Sequence, residues 1–158
     1  ASVRGILTRY SKMTDYHIVF YASEDVYICA DELKISQVVY NLVNNAMTYT
    51  GNDKSVILRQ RVEEGKVRIS VSDTGEGIPQ DKLNDIWERY YKVDKAHKRA
   101  QVGTGLSLAI VKMILDLHGG AYGVQSREGI GSTFWVEMDT VASPPQKKKG
   151  KKIYQCYE

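Results

Sequence analysis

Two asparagines four residues apart are the first side chains in this sequence whose spacing suggests a polar site. Asn41 and Asn45 fall on one face of a stretch whose apolar residues recur at helical spacing. A carboxamide is costly to bury without partners, and its oxygen is a hard ligand suited to Mg²⁺. The pair therefore indicates either two groups that face a ligand or two polar residues on the solvated edge of a helix.

A second polar group, Asp73-Thr-Gly-Glu-Gly-Ile78, directly follows a predicted strand. Gly75 and Gly77 allow the backbone to turn sharply and to approach a flat ligand closely. Asp73, at the strand end, can accept hydrogen bonds from an exocyclic amine. A simple glycine turn between a strand and a loop would have the same composition, so this motif by itself leaves both interpretations open.

Two further motifs follow in the second half of the chain. Ile86-Trp-Glu-Arg-Tyr-Tyr-Lys92 holds three aromatic residues, which more often indicate a core or a partner surface than a cofactor site. Gly103-Thr-Gly-Leu-Ser-Leu108 opens an apolar helix. A glycine-rich loop that enters a helix N-terminus favours phosphate, because free N–H groups and the helix dipole attract anions; a capped helix with flexible glycines is the alternative.

Three helices and one shorter helical segment must position these groups. The apolar spacing predicts a short helix over Ser2–Thr14 and a long one that is capped by Asp31 and ends near Thr50. Thr104–Leu117 is predicted as another strong helix, ended by His118-Gly119-Gly120, and a short helical segment is expected over 81–89.

Alternating and β-branched runs predict three hairpins. His17–Ala22 and Val26–Ala30 form the first, around residues 23–25. In the second hairpin, Lys54–Glu63 pairs with Lys66–Asp73, and in the third, Ala121–Arg127 pairs with Ile130–Met138. The chain is therefore mixed α/β, and we expect one layer of helices on one sheet.

Charge and cysteine content exclude several classes of protein. The net charge of +3 comes from residues 141–158, which carry five lysines and one glutamate, so the rest of the chain is near neutral. A nucleic-acid-binding domain would need a basic face on its folded body, and we expect no nucleic-acid partner. The two cysteines lack metal-ligand spacing, and Cys29, in an apolar stretch, is predicted to be a core residue.

Taken together, the four motifs resemble the GHKL ATPase and kinase superfamily, and within it the catalytic ATP-binding domain of the sensor histidine kinases of two-component systems. The resemblance covers about Ser2 to Thr140. Residues 37–50 resemble the asparagine box, 73–78 the first glycine box, 87–92 the phenylalanine box and 103–108 the second glycine box. It implies an α+β two-layer sandwich, the Bergerat fold, in which about three helices cover one face of a mixed, mainly antiparallel sheet.

The resemblance also implies ATP and Mg²⁺ as ligands. Asp73 would bind the adenine amino group in a pocket shaped by Gly75 and Gly77, Tyr49 would lie against the adenine, and Asn45 would hold Mg²⁺ with Asn41 beside it. Backbone amides of the second glycine box would bind the phosphates. The remaining residues expected at the ATP site are Ile78, Tyr91, Lys92, Gly103, Thr104, Gly105, Leu106 and Thr133.

The sequence departs from the family pattern at three places. Thr48 stands where a lysine is common, Ser107 replaces a third glycine, and Trp87 with Tyr90 stands where phenylalanine is usual. With Thr48, a phosphate contact is either lost or supplied by the segment 92–103, an expected lid. Because of Thr48 and Ser107, a degenerate nucleotide-binding or partner-binding module without phosphotransfer stays open as an alternative.

Asn41 favours a kinase over an ATPase. Hydrolytic members of the superfamily carry a glutamate as general base one helical turn before the metal-binding asparagine, and a carboxamide cannot take a proton from water. The aromatic box also argues against an anti-sigma-type serine kinase. Since His17, His97 and His118 lack the context of a phosphoacceptor, the expected acceptor is a histidine on a separate dimerisation domain; no catalytic residue is assigned in this chain.

We therefore expect residues 1–140 to form the catalytic domain and 141–158 to be a basic, disordered tail. The fragment is expected in the cytoplasm. The resemblance implies a homodimeric parent protein at the cytoplasmic face of the membrane, with allowance for a membrane anchor. Its expected partners are the histidine-bearing dimerisation domain of the same kinase and the receiver domain of a response regulator.

Overall fold

The computed structural model describes residues 3–13, 15–22, 24–88, 107–142 and 153–156, with backbone alone for 9–13 and 153–156. Its helices are α1 (Val3–Met13), α2 (Glu32–Tyr49) and α3 (Ser107–Leu117), with single 3₁₀ turns at Gln80–Lys82 and Asp85–Trp87. The strands are β1 (His17–Ala22), β2 (Val26–Cys29), β3 (Ser55–Glu63), β4 (Lys66–Asp73), β5 (Ala121–Arg127), β6 (Gly131–Asp139) and β7 (Ile153–Cys156).

Five strands form one mixed sheet in the order β1-β3-β4-β6-β5. Only the β1–β3 pair is parallel; the β3–β4, β4–β6 and β5–β6 pairs are antiparallel. Alternation along the strands gives the sheet one buried face, against which α2 and α3 pack. The fold class predicted from the sequence, an α+β sandwich of one mixed sheet with helices on one face, is confirmed.

The core lies between this sheet face and the helices. Val38, Val39, Leu42 and Val43 of α2 form an apolar stripe that is almost fully buried. From α3, Val111, Ile114 and Leu115 add to it, and β3 and β4 contribute Val56, Leu58 and Val71. These helices are consequently held firmly on the sheet, which fixes the polar residues on their remaining faces.

The first predicted hairpin is wrong. Instead of pairing with each other, β1 pairs in parallel with β3, and β2 pairs antiparallel with β7. Parallel strands need a long crossover, and β2 with α2 provides it between β1 and β3. Val26 and Ile28 are the buried residues of β2, and Cys29, the next residue, points to the other side of the strand. Cys29 is therefore exposed, and its predicted place in the core is wrong.

The segment that follows the main sheet also differs from the expectation. Residues 153–156 form β7 on β2, so the disorder expected for 141–158 does not extend to these four residues. The helical segment expected over 81–89 is two 3₁₀ turns, and of the helix expected over 104–117 the structure describes Ser107–Leu117.

No helix among the described residues is long and apolar enough to cross a membrane.

Candidate functional site

Helix α2 carries one row of polar side chains along a single face. Its N-cap is Asp31, whose carboxylate accepts a hydrogen bond from the N–H of Lys34 at 3.2 Å, as the sequence predicts. Asn41, Asn45 and Tyr49 follow at intervals of four residues and are each half-buried. Because residues four apart share a helix face, these three side chains form one continuous row.

Asn41 connects this row to the start of α3. Its Nδ2 donates a hydrogen bond to the carbonyl oxygen of Ser107 at 3.3 Å. Asn45 lies one turn later on the same helix face and is half-buried. No group of three or more histidine, cysteine or acidic side chains that could hold a metal occurs among the described residues.

Asp73 ends β4 with a buried carboxyl group. Its Oδ1 accepts a hydrogen bond from the N–H of Gly75 at 2.9 Å. Burial raises the pKa of Asp73 above its usual range, although hydrogen bonds from the backbone of Gly75 and Ser132 act in the opposite direction. Each oxygen of a carboxylate can accept more than one hydrogen bond, so the Asp73 carboxyl can still accept one from a ligand donor.

The loop after Asp73 is packed tightly between two other elements. A Cβ atom on Gly75 would lie 1.9 Å from the carbonyl oxygen of Tyr49, so this glycine brings the loop against the end of α2. A Cβ atom on Gly77, whose φ is +75°, would lie 2.3 Å from the carbonyl oxygen of Arg127. Only glycine, which has no Cβ atom, fits at these two close contacts, and this explains the two glycines of the motif.

Hydroxyl groups hold both sides of the same loop. On one side the Thr50 hydroxyl accepts the N–H of Thr74 at 3.3 Å, and the Thr74 hydroxyl donates to Asp53 at 2.6 Å. On the other side the Ser126 hydroxyl accepts the N–H of Ile78 at 2.7 Å. The buried side chain of Ile78 is thereby fixed near the β5–β6 turn.

Ser132, which the sequence analysis did not single out, lies closer to Asp73 than Thr133 does. It is paired directly with Asp73 across β4 and β6, it is buried, and its hydroxyl lies 2.8 Å from the hydroxyl of Ser126. Directly opposed residues point to the same sheet face. Thr133 therefore lies on the opposite face, where its hydroxyl contacts that of Ser72 at 2.8 Å. Strict alternation along β6 would have identified Ser132 from the sequence.

This difference in face gives a matched pair of substitutions. If a nucleotide binds beside Asp73, as the resemblance implies, Ser132→Ala is expected to weaken its binding by about threefold to tenfold, the worth of one lost hydrogen bond near the ligand. Thr133→Ala removes an equally short hydroxyl contact on the other face and is expected to leave the affinity unchanged. Calorimetric titration with ATP measures both. A larger loss in the Thr133 variant would contradict the placement of the site on the buried face.

The aromatic motif contains one residue of the core, Trp87, and its residues after Glu88 are not among those that the structure describes. Trp87 is buried and contacts Tyr122 and Phe134, with ring centroids 4.8 and 5.8 Å away. It thus serves the core, as the structural interpretation of the motif allowed. The other predicted site residues of the second half, Tyr91, Lys92, Gly103, Thr104, Gly105 and Leu106, lie outside the described residues.

Of the predicted site residues, the structure brings those on α2 together with those in the loop after β4. A path runs from Asp73 and Gly75, through the end of α2 at Tyr49, along Asn45 and Asn41 to the first residue of α3. A buried acceptor stands at one end of this path. Carboxamides and the start of a helix stand at the other, an arrangement suited to a ligand with an amine at one end and anionic groups at the other.

Comparisons with known proteins agree with this geometry. Residues 30–142 match the family described as "Histidine kinase-, DNA gyrase B-, and HSP90-like ATPase". The sensor-like histidine kinase SenX3 of Mycolicibacterium smegmatis is 38% identical over 117 residues, which cover 74% of this chain and 30% of that protein. The chain thus spans less than a third of the length of this relative.

Solved structures with the same fold include the nucleotide-free catalytic domain of the histidine kinase ThkA. It has a TM-score of 0.74 and 29% identity, over 87% of this chain and 89% of that one. The structure of ThkA in complex with the response regulator TrrA matches with a TM-score of 0.72 and 27% identity, over 88% of this chain and 39% of that one.

Proposed function

Because the chain belongs to the family of histidine kinase-, DNA gyrase B- and HSP90-like ATPases, we propose that it binds ATP with Mg²⁺ and donates the γ-phosphoryl group to a histidine on a separate domain. The observation that carries this proposal is the path along α2 from the buried carboxyl of Asp73 to the carboxamides of Asn45 and Asn41. The adenine amine would lie at the Asp73 end and the phosphates at the α3 end.

Adenine recognition would rest on Asp73 and its surroundings. Oδ2 of Asp73 would accept a hydrogen bond from the exocyclic amine, and the carboxyl is already oriented by Gly75. Tyr49 is half-buried at the end of α2, and burial raises the pKa of its hydroxyl, which keeps the ring neutral for contact with a flat base. Ser132 would complete the polar side of the pocket.

At the α3 end of the path, where the phosphates would lie, the residues present fit a metal that is held mainly by the nucleotide. The described residues contain no cluster of acidic or imidazole side chains, so Asn45 would contribute one carboxamide oxygen and the phosphates most of the remaining ligands. A bound Mg²⁺ would neutralise charge that builds up on the phosphates during transfer. Gly103 to Leu106 are proposed to present backbone N–H groups to the phosphates, with Tyr91 and Lys92 at the expected lid.

Transfer rather than hydrolysis follows from the chemistry of Asn41. Its amide group donates to the carbonyl oxygen of Ser107 and has no basic atom that could deprotonate water. In the proposed reaction the bond between the γ-phosphorus and the β–γ bridging oxygen breaks, a nitrogen–phosphorus bond forms on the acceptor histidine, and ADP leaves. The acceptor domain would belong to the same homodimeric kinase, and a response regulator receiver domain would take the phosphoryl group next.

The test is a calorimetric titration of the chain with ATP, with and without Mg²⁺, followed by γ-labelled ATP with the histidine-bearing domain added. Binding that depends on Mg²⁺ and label on that domain are the expected results. Tight binding without transfer would favour the degenerate binding module instead. No binding by the intact chain would refute the ATP site.

Asn45→Ala is expected to abolish the effect of Mg²⁺ on ATP affinity. The wild-type chain should bind ATP about tenfold or more tightly with Mg²⁺ than with a chelator, and the variant should bind equally in both conditions. Asn44→Ala is the matched control, because it removes the neighbouring carboxamide from a different helix face. Alanine favours the helix, so loss of folding is not expected to explain either result. An undiminished Mg²⁺ effect in the Asn45 variant would exclude Asn45 as a ligand.

A further inference from the structure

The imidazole of His118, directly after α3, joins the end of that helix to the start of α2. Its Nδ1 lies 2.7 Å from the carbonyl oxygen of Ile114, one turn back in α3. Its Nε2 accepts a hydrogen bond at 3.1 Å from the backbone N–H of Asp31, the N-cap of α2. A single side chain therefore connects two helix ends that lie 87 residues apart in the chain.

These two partners define the protonation state of the ring. A carbonyl oxygen can only accept, so Nδ1 must carry a hydrogen; a backbone N–H can only donate, so Nε2 must present its lone pair. The ring is therefore the neutral Nδ1–H tautomer. The position of His118 at a helix C-terminus would by itself have favoured a cation, but a second proton on Nε2 would face the N–H of Asp31.

A second hydrogen bond joins the middle of α2 to the start of α3. Asn41 of α2 donates to the carbonyl oxygen of Ser107, the first residue of α3. The helices thus run antiparallel, with a polar contact at Asp31 and His118 and another at Asn41 and Ser107. The relative position of α2 and α3 determines how the carboxamides of α2 face the first turn of α3.

We propose that neutral His118 is a positioning residue for the nucleotide, and that its bond to Asp31 fixes α3 relative to α2 in the arrangement that binds phosphate. The inference rests on the proposed ATP binding. His118 lies at the end of α3 away from Ser107 and acts through the two helices. Without the bond the helices spend less time in the binding arrangement, and the apparent dissociation constant rises as that fraction falls.

Two substitutions separate the two hydrogen bonds of the ring. The amide oxygen of glutamine in His118→Gln reaches about as far as Nε2 and can accept from Asp31, whereas the amide nitrogen of asparagine in His118→Asn reaches only about as far as Nδ1 and can donate to Ile114. We expect the Gln variant to bind ATP within about twofold of wild type and the Asn variant to bind about threefold to tenfold more weakly. Titrations are run at a temperature where thermal denaturation shows all three proteins to be folded.

The opposite ranking, or equal losses in both variants, would overturn the proposal, because the ring would then act only at the end of α3 or through its packing. Nitrogen chemical shifts of the wild-type imidazole provide a readout that needs no ATP. A protonated Nδ1 and an unprotonated Nε2 near neutral pH are expected, and the reverse tautomer would overturn the proposal. If the shifts agree but wild-type protein binds no ATP, the proposed function fails and the assignment of the tautomer stands.

Discussion

Replacing Asp73 with asparagine is expected to weaken ATP binding by about 10- to 100-fold, the worth of a hydrogen bond to a charged group together with a mismatched donor. In the wild-type chain Oδ1 is held by the N–H of Gly75. The asparagine oxygen would take that place, which turns its NH₂ group toward the pocket. Two donors, this group and the adenine amine, would then face each other.

The same substitution is expected to leave folding intact. Burial raises the pKa of Asp73, so the folded state disfavours its charged form. The stability associated with this group is present below its ordinary pKa of 3.8 and is lost as the pH rises through the folded-state value. At pH 7 the neutral asparagine should therefore not lower the free energy of unfolding, and the pH dependence that Asp73 contributes should disappear.

Asp53→Asn is the matched control for this prediction. Asp53 is exposed and binds the hydroxyl of Thr74 in the same loop, and an asparagine oxygen can keep that contact. We expect ATP affinity within about twofold of wild type, since the variant changes charge near the loop without touching the pocket. Calorimetry and urea unfolding at pH 5 and 7 measure both variants. Equal affinity of the Asp73 variant and wild type would show that adenine is recognised elsewhere.

Gly75→Ala is expected to disrupt the pocket sterically. The added methyl group would lie 1.9 Å from the carbonyl oxygen of Tyr49. Because that oxygen belongs to the main chain and the methyl group is fixed to Cα, either the loop or the end of α2 must move. Overpacking of this kind costs about 1–3 kcal/mol of folding free energy. Since Asp73 is oriented by the N–H of Gly75, ATP affinity should fall by about tenfold or more in protein that remains folded.

Gly65→Ala provides the control for a glycine substitution without a steric conflict. Gly65 has a φ of +75° in the β3–β4 turn, and no atom lies within 4 Å of an added Cβ. The left-handed backbone should cost about 1–2 kcal/mol, with no change in ATP affinity. Urea unfolding and ATP titration of the two variants give the comparison. An intact affinity in the Gly75 variant would mean that the contact with α2 does not shape the pocket.

The four motifs could be predicted from the sequence because each is local. A glycine pair after a strand, carboxamides four apart on a helix and an N-cap before an apolar stripe all follow from spacing alone. The structure confirms that Asp31 caps α2 and that a tight loop follows Asp73. The alternation along β4 places Asp73 on the same face as the buried Val67, Ile69 and Val71.

Contacts between distant parts of the chain decided the rest. The pairing of β1 with β3 depends on a crossover through β2 and α2. The alternation within a strand carries no information about which strand it pairs with. Alternation shows which β6 residues share the buried face, but that Ser132 lies directly opposite Asp73 depends on the register of β6 against β4. Nε2 of His118 is an acceptor because the N–H of Asp31, far away in the chain, donates to it. Residue spacing thus determined the elements and their faces, whereas pairing, register and protonation depend on partners that only the folded chain brings within hydrogen-bonding distance.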